Sequence, residues 1–108
     1  MNRSGKVCLK NEFCGTIYEN ENGYFFQYDP NYLNGKNMEA VSLTMPLQEE
    51  VYKSKTLFSF FDGLIPEGWL LDIAEKNWKI NHVDRMGLLL TCCKDCIGAV
   101  SVINNEEL

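Results

Sequence analysis

The stretch FCGTIYENENGYFFQY, residues 13–28, decides the fold. It contains two runs rich in aromatic and β-branched residues, and such runs favour strands. The Asn-Gly pair at 22–23 lies between them and is a strong signal for a tight antiparallel hairpin. Successive side chains of a strand point to opposite faces, so one face of the second strand carries Tyr24, Phe26 and Tyr28. The stretch therefore predicts a β-hairpin with one strongly aromatic face.

Three further strands are predicted, at residues 6–9, 41–45 and 99–103. In the middle one, apolar residues alternate with Ser and Thr, which indicates a half-buried strand closed by Pro46. The apolar positions of that strand are Val41, Leu43 and Met45. Residues 31–39 are predicted to be a loop.

After this point the apolar residues recur with the period of a helix. Pro66 suits the first turn of a helix that runs to about Trp78. A second helix is predicted to begin near Asn81, since Asn81 and Asp84 have the spacing of an N-cap and an N3 residue. Its predicted buried stripe is Val83, Met86, Leu90 and Cys93. Strands, two helices and a final strand predict an α+β fold, in which a small, mostly antiparallel sheet packs with two or three helices.

Length and charge restrict the class of protein. The chain of 108 residues is enough for a single domain, residues 1–108. Its composition, 45% hydrophobic and 23% charged, excludes a disordered chain. Ten Lys and Arg against 15 Asp and Glu give a net charge of −5. Nucleic-acid-binding domains usually show the opposite balance, so the charge favours a basic protein surface as the partner.

The cysteines and the apolar runs indicate the compartment. Residues 1–20 lack the continuous apolar run of a signal peptide, and no stretch approaches the ~20 apolar residues that span a bilayer. Five Cys without a secretion signal predict reduced thiols in the cytoplasm. Cys93 and Cys96 form a C-x-x-C pair, but a structural zinc needs four ligands, usually in two close pairs. We therefore expect buried thiols and no metal.

The segment FSFFDGLIPEGWLL, residues 58–71, combines aromatic side chains, a Pro-Glu-Gly break and a Trp. At least one of the three Phe should be core. Three Phe beside a Gly and a Pro exceed what a solvated loop tolerates, so the segment predicts an apolar patch. Trp69 lies at the edge of the helix expected after Pro66, where it either anchors an interface or lies flat on the domain's own loop. The predicted partner-binding residues are Phe60, Phe61, Asp62, Gly63, Leu64, Ile65, Pro66, Glu67, Gly68 and Trp69.

No catalytic site is predicted. His82 is the only histidine, and no Ser or Asp has triad spacing to it. Asp62 and Glu67 flank Pro66, which gives no basis for paired-acid catalysis. We expect these two carboxylates either to face a cation on a partner or to cap the start of a helix.

Taken together, these landmarks resemble the N-terminal subdomain of HipA-type kinases. The matching pieces follow the expected order over nearly the whole chain: KVCL, EFCGTIYENENGYFFQYD, PNYL, AVSLTMPL, FFDGLIPEGWLL, DRMGLLL and KDCIGAVSV. Each piece alone is weak. The series is specific, above all the Ile-Pro after the Phe-rich turn and the D-C-x-G-A-V pattern near the end.

In HipA-type kinases this module continues into a kinase core, whereas this chain ends at Leu108. The resemblance is therefore closest to HipS proteins of bacterial HipBST toxin–antitoxin systems. It implies a cytoplasmic antitoxin, without catalysis or cofactor, that neutralises a HipT-like Ser/Thr kinase toxin. It also implies a HipB-like helix-turn-helix protein in the same complex, with no direct contact of this chain to nucleic acid or membrane. From the edge position of Trp69 we further hypothesise that residues 66–69 insert this side chain into the kinase cleft.

Three alternatives stay open. In the first, the chain would be an accessory subunit that completes a split HipA-like kinase and supports its activity, so kinase activity would rise when the chain is added. In the second, the chain would be a small thiol redox or zinc protein that uses Cys92, Cys93 and Cys96. In the third, it would be a detached part of a longer HipA, whose coding sequence continues past Leu108.

Overall fold

The computed structural model describes residues 3–36, 38–65, 76, 84–93 and 99–105. Within these ranges, five strands and three short helices follow one another along the chain. They are β1 (Arg3–Leu9), β2 (Glu12–Asn20), β3 (Gly23–Tyr28), α1 (Pro30–Leu33), β4 (Tyr52–Ser54), α2 (Ser59–Asp62), α3 (Arg85–Cys92) and β5 (Val100–Asn104). The predicted α+β class is confirmed. No described helix is long and apolar enough to cross a membrane.

The five strands form one antiparallel sheet in the order β4-β3-β2-β1-β5. The predicted hairpin is confirmed, since β2 pairs with β3 from Gly15 opposite Tyr28 to Asn20 opposite Gly23. Gly23 has a φ of +133°, and a Cβ there would lie 2.5 Å from the carbonyl oxygen of Ser54 on β4. Glycine at this position therefore allows both the turn and the close approach of the edge strand.

One face of the sheet, the inner face, carries the core. Phe26 lies near its centre, with ring centroids 4.9 Å from Tyr28 and 5.3 Å from Phe61 of α2. All three residues are fully buried, as are Leu88 and Leu89 of α3. The strand residues that complete this core include Val7, Cys14, Ile17 and Val102. Burial of these side chains drives the sheet and the helices together.

The opposite, outer face is partly exposed and more polar. Tyr18 and Phe25 stack there across β2 and β3, with ring centroids 5.0 Å apart. The Lys6 ammonium lies 5.8 Å from the ring centroid of Phe13, which is 38% exposed. Aromatic pairs and a cation over a ring are typical cross-strand contacts of a solvated face.

Residues 41–45 are not a strand, so that prediction was wrong. Ser42 and Met45 form an isolated bridge around a tight turn, and Leu43 is fully exposed. The Tyr28 hydroxyl accepts a hydrogen bond from the Val41 N–H at 3.0 Å and donates one to the Met45 carbonyl. These bonds satisfy backbone groups that a strand would have paired in a ladder. The fourth strand is instead β4, which the sequence analysis missed.

The predicted loop at 31–39 begins inside a helix. Pro30 occupies the first turn of α1, and the Asp29 carboxylate accepts hydrogen bonds from the N–H groups of Asn31 (3.1 Å) and Tyr32 (3.2 Å). Asp as N-cap followed by Pro is a strong helix start, which explains why this short turn forms.

The start of α3 differs from the prediction. Asp84 is its N-cap rather than its third residue, because the Asp84 carboxylate accepts a hydrogen bond from the Gly87 N–H at 3.2 Å. Burial of Met86, Leu90 and Cys93 is confirmed. Asn81 and Val83 lie outside the described residues. Of the helix predicted at 66–78, the structure describes Lys76 alone.

The last strand is confirmed and lies at an edge of the sheet. β5 pairs with β1, with Gly5 opposite Asn104. On its other side, the Val102 N–H donates a hydrogen bond of 2.8 Å to the Cys93 carbonyl at the end of α3. The end of the helix thus occupies a backbone donor that an edge strand would otherwise present to solvent.

Candidate partner-binding site

The first part of the predicted site is the short helix α2. Its helical turn is formed by hydrogen bonds from the Asp62 N–H to the Phe58 carbonyl (2.9 Å) and from the Gly63 N–H to the Ser59 carbonyl (3.0 Å). Phe61 points into the core and is fully buried, while Phe58 and Phe60 are half-buried. The prediction that at least one of the three Phe residues is core is therefore confirmed by Phe61.

The two half-buried rings of α2 are fixed by Phe61. The Phe60 ring meets Phe61 edge-on at 5.1 Å between centroids, and the Phe58 ring does so at 6.3 Å. Edge-to-face pairs of this kind contribute about 0.5–1.5 kcal/mol beyond area burial. The helix thus holds two aromatic side chains in fixed positions with part of each surface open to solvent.

An ion pair joins α2 to α3. The Arg85 Nε donates to the Asp62 Oδ1 at 2.6 Å, and both side chains are partly exposed. Asp62 was predicted either to face a partner's cation or to cap a helix start. In the structure it is the last residue of α2, and its carboxylate is engaged with the domain's own Arg85.

A second contact holds the chain beyond α2. The buried Cys93 thiol donates to the Leu64 carbonyl at 3.3 Å, and Ile65 is buried in the core. Gly63 is exposed and Leu64 is half-buried. Residues 58–65, which we call the α2 segment, are therefore attached to the core and to α3 up to the residue before Pro66.

The structure brings together six of the ten predicted site residues, and they are Phe60, Phe61, Asp62, Gly63, Leu64 and Ile65. The other four, Pro66, Glu67, Gly68 and Trp69, lie outside the described residues. Sequence analysis missed the supporting roles of Arg85 and the Cys93 thiol, because both contacts join residues more than 20 positions apart and leave no local pattern.

Two described thiols, those of Cys8 and Cys14, lie in environments that favour the protonated form. Burial raises the pKa of the Cys14 thiol to about 12, and this thiol donates to the Val7 carbonyl at 3.4 Å. Burial also raises the pKa of Cys8. A thiol is a nucleophile or metal ligand as its thiolate, so these environments disfavour both roles. Among the described residues, no three His, Cys, Asp or Glu side chains are grouped to hold a metal.

The comparisons with known proteins define the class of this domain. Residues 5–103 match the family described as the HipA N-terminal domain. A solved structure described as the N-terminal domain of HipA toxin superposes with a TM-score of 0.75 at 33% identity, covering 98% of this chain and 95% of that one. An uncharacterized protein of Haemophilus influenzae is 36% identical over 105 residues, which cover 97% of this chain and 95% of the relative.

This five-stranded α+β domain is thus of the kind found at the N-terminus of HipA toxin. The chain belongs to the HipA N-terminal domain family.

Proposed function

We propose that this chain is a HipS-like antitoxin, which binds and neutralises a HipT-like Ser/Thr kinase toxin in a HipBST-type system. The α2 segment carries the proposal. It holds the half-exposed rings of Phe58 and Phe60 in fixed positions directly before residues 66–69, the Pro-Glu-Gly-Trp sequence. Aromatic anchors presented by a rigid support are typical of binding hot spots.

The lengths of the relatives support a separate binding subunit. The Haemophilus influenzae relative is matched over 95% of its own length, so that relative consists of little besides this domain. A subunit made of this domain would act on a kinase by contact, through occlusion of the cleft or a block of its closure.

Charge supports the same partner. The chain carries a net charge of −5, and a nucleotide-binding cleft has to be basic to hold phosphates. We therefore propose that this chain contacts the kinase, that any DNA contact of the complex is made by a HipB-like helix-turn-helix protein, and that this chain performs no catalysis.

Growth rescue tests the proposal. The chain is co-expressed with the kinase encoded beside it, as wild type and as Trp69→Ala, Phe60→Ala and Phe13→Ala. We expect rescue by wild type, loss of rescue with Trp69→Ala and weaker rescue with Phe60→Ala. Phe13→Ala is the matched control, because it removes a partly exposed ring from the outer sheet face. Full rescue by Trp69→Ala would disprove the role of residues 66–69 while leaving the antitoxin role intact.

A second candidate function is favoured by the structural comparison, because the matching solved domain is described as part of the toxin itself. A chain of this kind would complete a split HipA-like kinase and raise its activity. Phosphorylation by the purified kinase, measured with and without this chain, separates the two functions. Inhibition supports the antitoxin, whereas activation together with greater toxicity supports the accessory subunit.

A further inference from the structure

The outer face of the sheet is left uncovered by the rest of the domain. Alternate residues of the five strands point to this face, and none of them is buried. The helices α2 and α3 pack on the other side, where Phe61, Leu88 and Leu89 are buried in the core. An antiparallel sheet commonly has one solvated face, so exposure by itself indicates no partner. What distinguishes this face is its combination of aromatic rings and positive charge.

Apolar side chains are concentrated on the outer face. Tyr18 and Phe25 lie opposite each other on β2 and β3, with their rings stacked at 5.0 Å between centroids. Phe13, also on β2, is 38% exposed, and Ile103 on β5 is half-buried. Aromatic residues are enriched at protein–protein interfaces, where they supply much of the contact area. The outer face thus offers apolar contact area that extends over several strands.

Charge is divided between the two faces of the sheet. The acidic residues of the five strands are Glu12 and Glu19, and each stands opposite a residue of the inner face. Lys6 and Lys53 point outward instead, and Glu21 lies beyond the end of β2 in the hairpin turn. A chain of net charge −5 therefore presents, at the outer-face positions of its described strands, two ammonium groups and no carboxylate.

Both lysines lie beside apolar side chains and are available to a partner. The Lys6 ammonium is 5.8 Å from the ring centroid of Phe13, and Lys53 stands directly opposite Phe25. The cations of the ion pairs within the described ranges are other residues, namely Arg3, Lys10 and Arg85. The rings and the free charges thus form one surface, in which each lysine accompanies an aromatic residue.

The register of the sheet fixes the separation of the two lysines. Lys6 on β1 stands opposite Thr16, and Lys53 on β4 stands opposite Phe25, which pairs with Tyr18. Three strand spacings of ~4.8 Å and two residues of ~3.3 Å place their Cα atoms about 16 Å apart, on either side of the stacked rings. An α-helix advances ~5.4 Å per turn, so carboxylates about three turns apart on one helix would reach both lysines.

A protein fits this surface better than a nucleic acid does. Tyr18 and Phe25 each cover one face of the other ring, and Lys6 lies at the Phe13 ring, which leaves fewer open ring faces for base stacking. The net charge of −5 also disfavours a phosphate backbone. An amphipathic helix with acidic residues beside its apolar stripe matches both the rings and the cations. Two copies of this chain meeting through their outer faces are disfavoured, because their lysines would face each other.

We propose that the outer face of the sheet binds an amphipathic acidic helix of another protein. The apolar stripe of that helix covers Tyr18, Phe25 and Phe13, and its Asp or Glu side chains pair with Lys6 and Lys53. This inference does not rest on the proposed function, because the α2 segment packs against the inner face. The two surfaces lie on opposite sides of the sheet and can be occupied at the same time.

Fluorescence anisotropy of labelled synthetic helices tests this surface. One peptide of about 18 residues carries a leucine stripe flanked by Glu, and a second carries Lys in place of each Glu. We expect the Glu peptide to bind the wild-type chain with a Kd below about 1 mM and at least about 10-fold more tightly than the Lys peptide. Chemical shift changes in the amide spectrum of the chain should map to the outer-face residues.

Paired charge reversals locate the contact. Lys6→Glu combined with Lys53→Glu should weaken binding of the Glu peptide by about 10-fold or more. Lys10→Glu combined with Lys36→Glu changes the net charge equally, at a groove beside Tyr32, and should bind within about threefold of wild type. If the first variant unfolds at a lower temperature than wild type, Lys6→Gln with Lys53→Gln removes the charges without adding carboxylates. That variant should still weaken binding by about threefold.

Each other outcome overturns the proposal in a distinct way. Equal weakening by both charge reversals shows an effect of net charge rather than of this face. Equal binding of the Glu and Lys peptides shows non-selective apolar contact, and no binding of the Glu peptide removes the surface. Tighter binding of an oligothymidylate that the Lys6 and Lys53 reversal abolishes assigns the face to a nucleic acid. Self-association of wild type that the same reversal abolishes, measured by sedimentation velocity, assigns it to a second copy.

Discussion

The tight turn at residues 41–45, which we call the Leu43 turn, and the start of α3 are both held by side chains from distant strands, but by different chemistry. At the Leu43 turn, the neutral hydroxyl of Tyr28 bonds two backbone groups in a buried site. At α3, the Arg3 guanidinium donates to both carboxylate oxygens of Asp84 at 2.9 Å and to Glu19 at 2.7 Å, in a partly exposed site. We call Arg3, Glu19 and Asp84 the Arg3 network.

This difference predicts how each contact responds to solution conditions. A buried neutral hydrogen bond is costly to break because its partners are then left unsatisfied, and it is insensitive to salt. A partly exposed ion pair contributes little net free energy and is screened by ions. The domain thus fixes its exposed turn with the stronger kind of contact and its helix start with the weaker kind.

The largest effect is expected for Tyr28→Phe. The ring stays in the core, but the Val41 N–H and the Met45 carbonyl lose their partner, so the free energy of unfolding should fall by about 1–3 kcal/mol. Urea denaturation followed by circular dichroism measures the change. Tyr18→Phe on the half-exposed outer face is the control and should change it by less than about 0.5 kcal/mol. A midpoint for Tyr28→Phe that equals wild type would show that the hydroxyl does not hold the turn.

The same hydroxyl should make the wild type sensitive to alkali. Burial raises the pKa of Tyr28 to about 12, whereas an unfolded tyrosine has a pKa near 10. Since the folded pKa is the higher one, this contribution to stability is present below pH ~10 and is lost as the pH rises toward 12. Tyr28→Phe should show a smaller loss of stability than wild type over that range, measured by urea denaturation at several pH values.

A smaller effect is expected for Asp84→Ala, which removes the cap of α3 and the partner of Arg3. Loss of an N-cap costs about 1 kcal/mol, and the partly exposed ion pair adds less than that. Asp84→Asn keeps an acceptor for the Gly87 N–H and should recover most of the loss. If Asp84→Asn were as unstable as Asp84→Ala, the charge rather than the cap would account for the effect. Raising the salt concentration should reduce only the part of the stability loss that is due to charge.

The smallest effect is expected on the loss of folding stability at acid pH. The hydrogen bond from Arg3 holds the pKa of the Asp84 carboxyl below its usual value. Because the folded pKa is depressed, this contribution is present above the unfolded pKa of ~3.9 and is lost as the pH falls through the folded pKa. Arg3→Ala should flatten this loss below pH 4, and Tyr28→Phe should leave it unchanged. If Arg3→Ala and wild type lost the same stability below pH 4, the Arg3 network would be excluded as the source of that loss.

Local sequence patterns predicted the parts of the fold that local interactions determine. The β2–β3 hairpin followed from its aromatic runs and its Asn-Gly turn, and the buried stripe of α3 followed from helical spacing. The Val41, Leu43 and Met45 alternation predicted a strand and was wrong, because Tyr28 supplies the hydrogen bonds from a distant position. β4 has three residues, too few for a periodic signal.

The candidate site was predicted in part for the same reason. Aromatic clustering located the α2 segment, and burial of one Phe was expected from apolar content. The pairing of Asp62 with Arg85 and the bond from the Cys93 thiol to the Leu64 carbonyl were not predictable, since the folded backbone alone brings these residues together. The exposed Leu43 was assigned to a buried face, because strand periodicity and an apolar tip on a turn look alike in sequence.

The position of β5 has a consequence for the order in which this domain is assembled. β1 lies between β2 and β5, so one of its edges is completed by residues 100–104, which the ribosome adds long after residues 3–9. Until then, the backbone groups of Lys6 and Cys8 that face β5 have no strand to pair with. Pairings between distant residues fold slowly and leave strand edges open to association with other chains. The nascent chain is therefore most vulnerable to aggregation during synthesis, before its last strand closes the sheet.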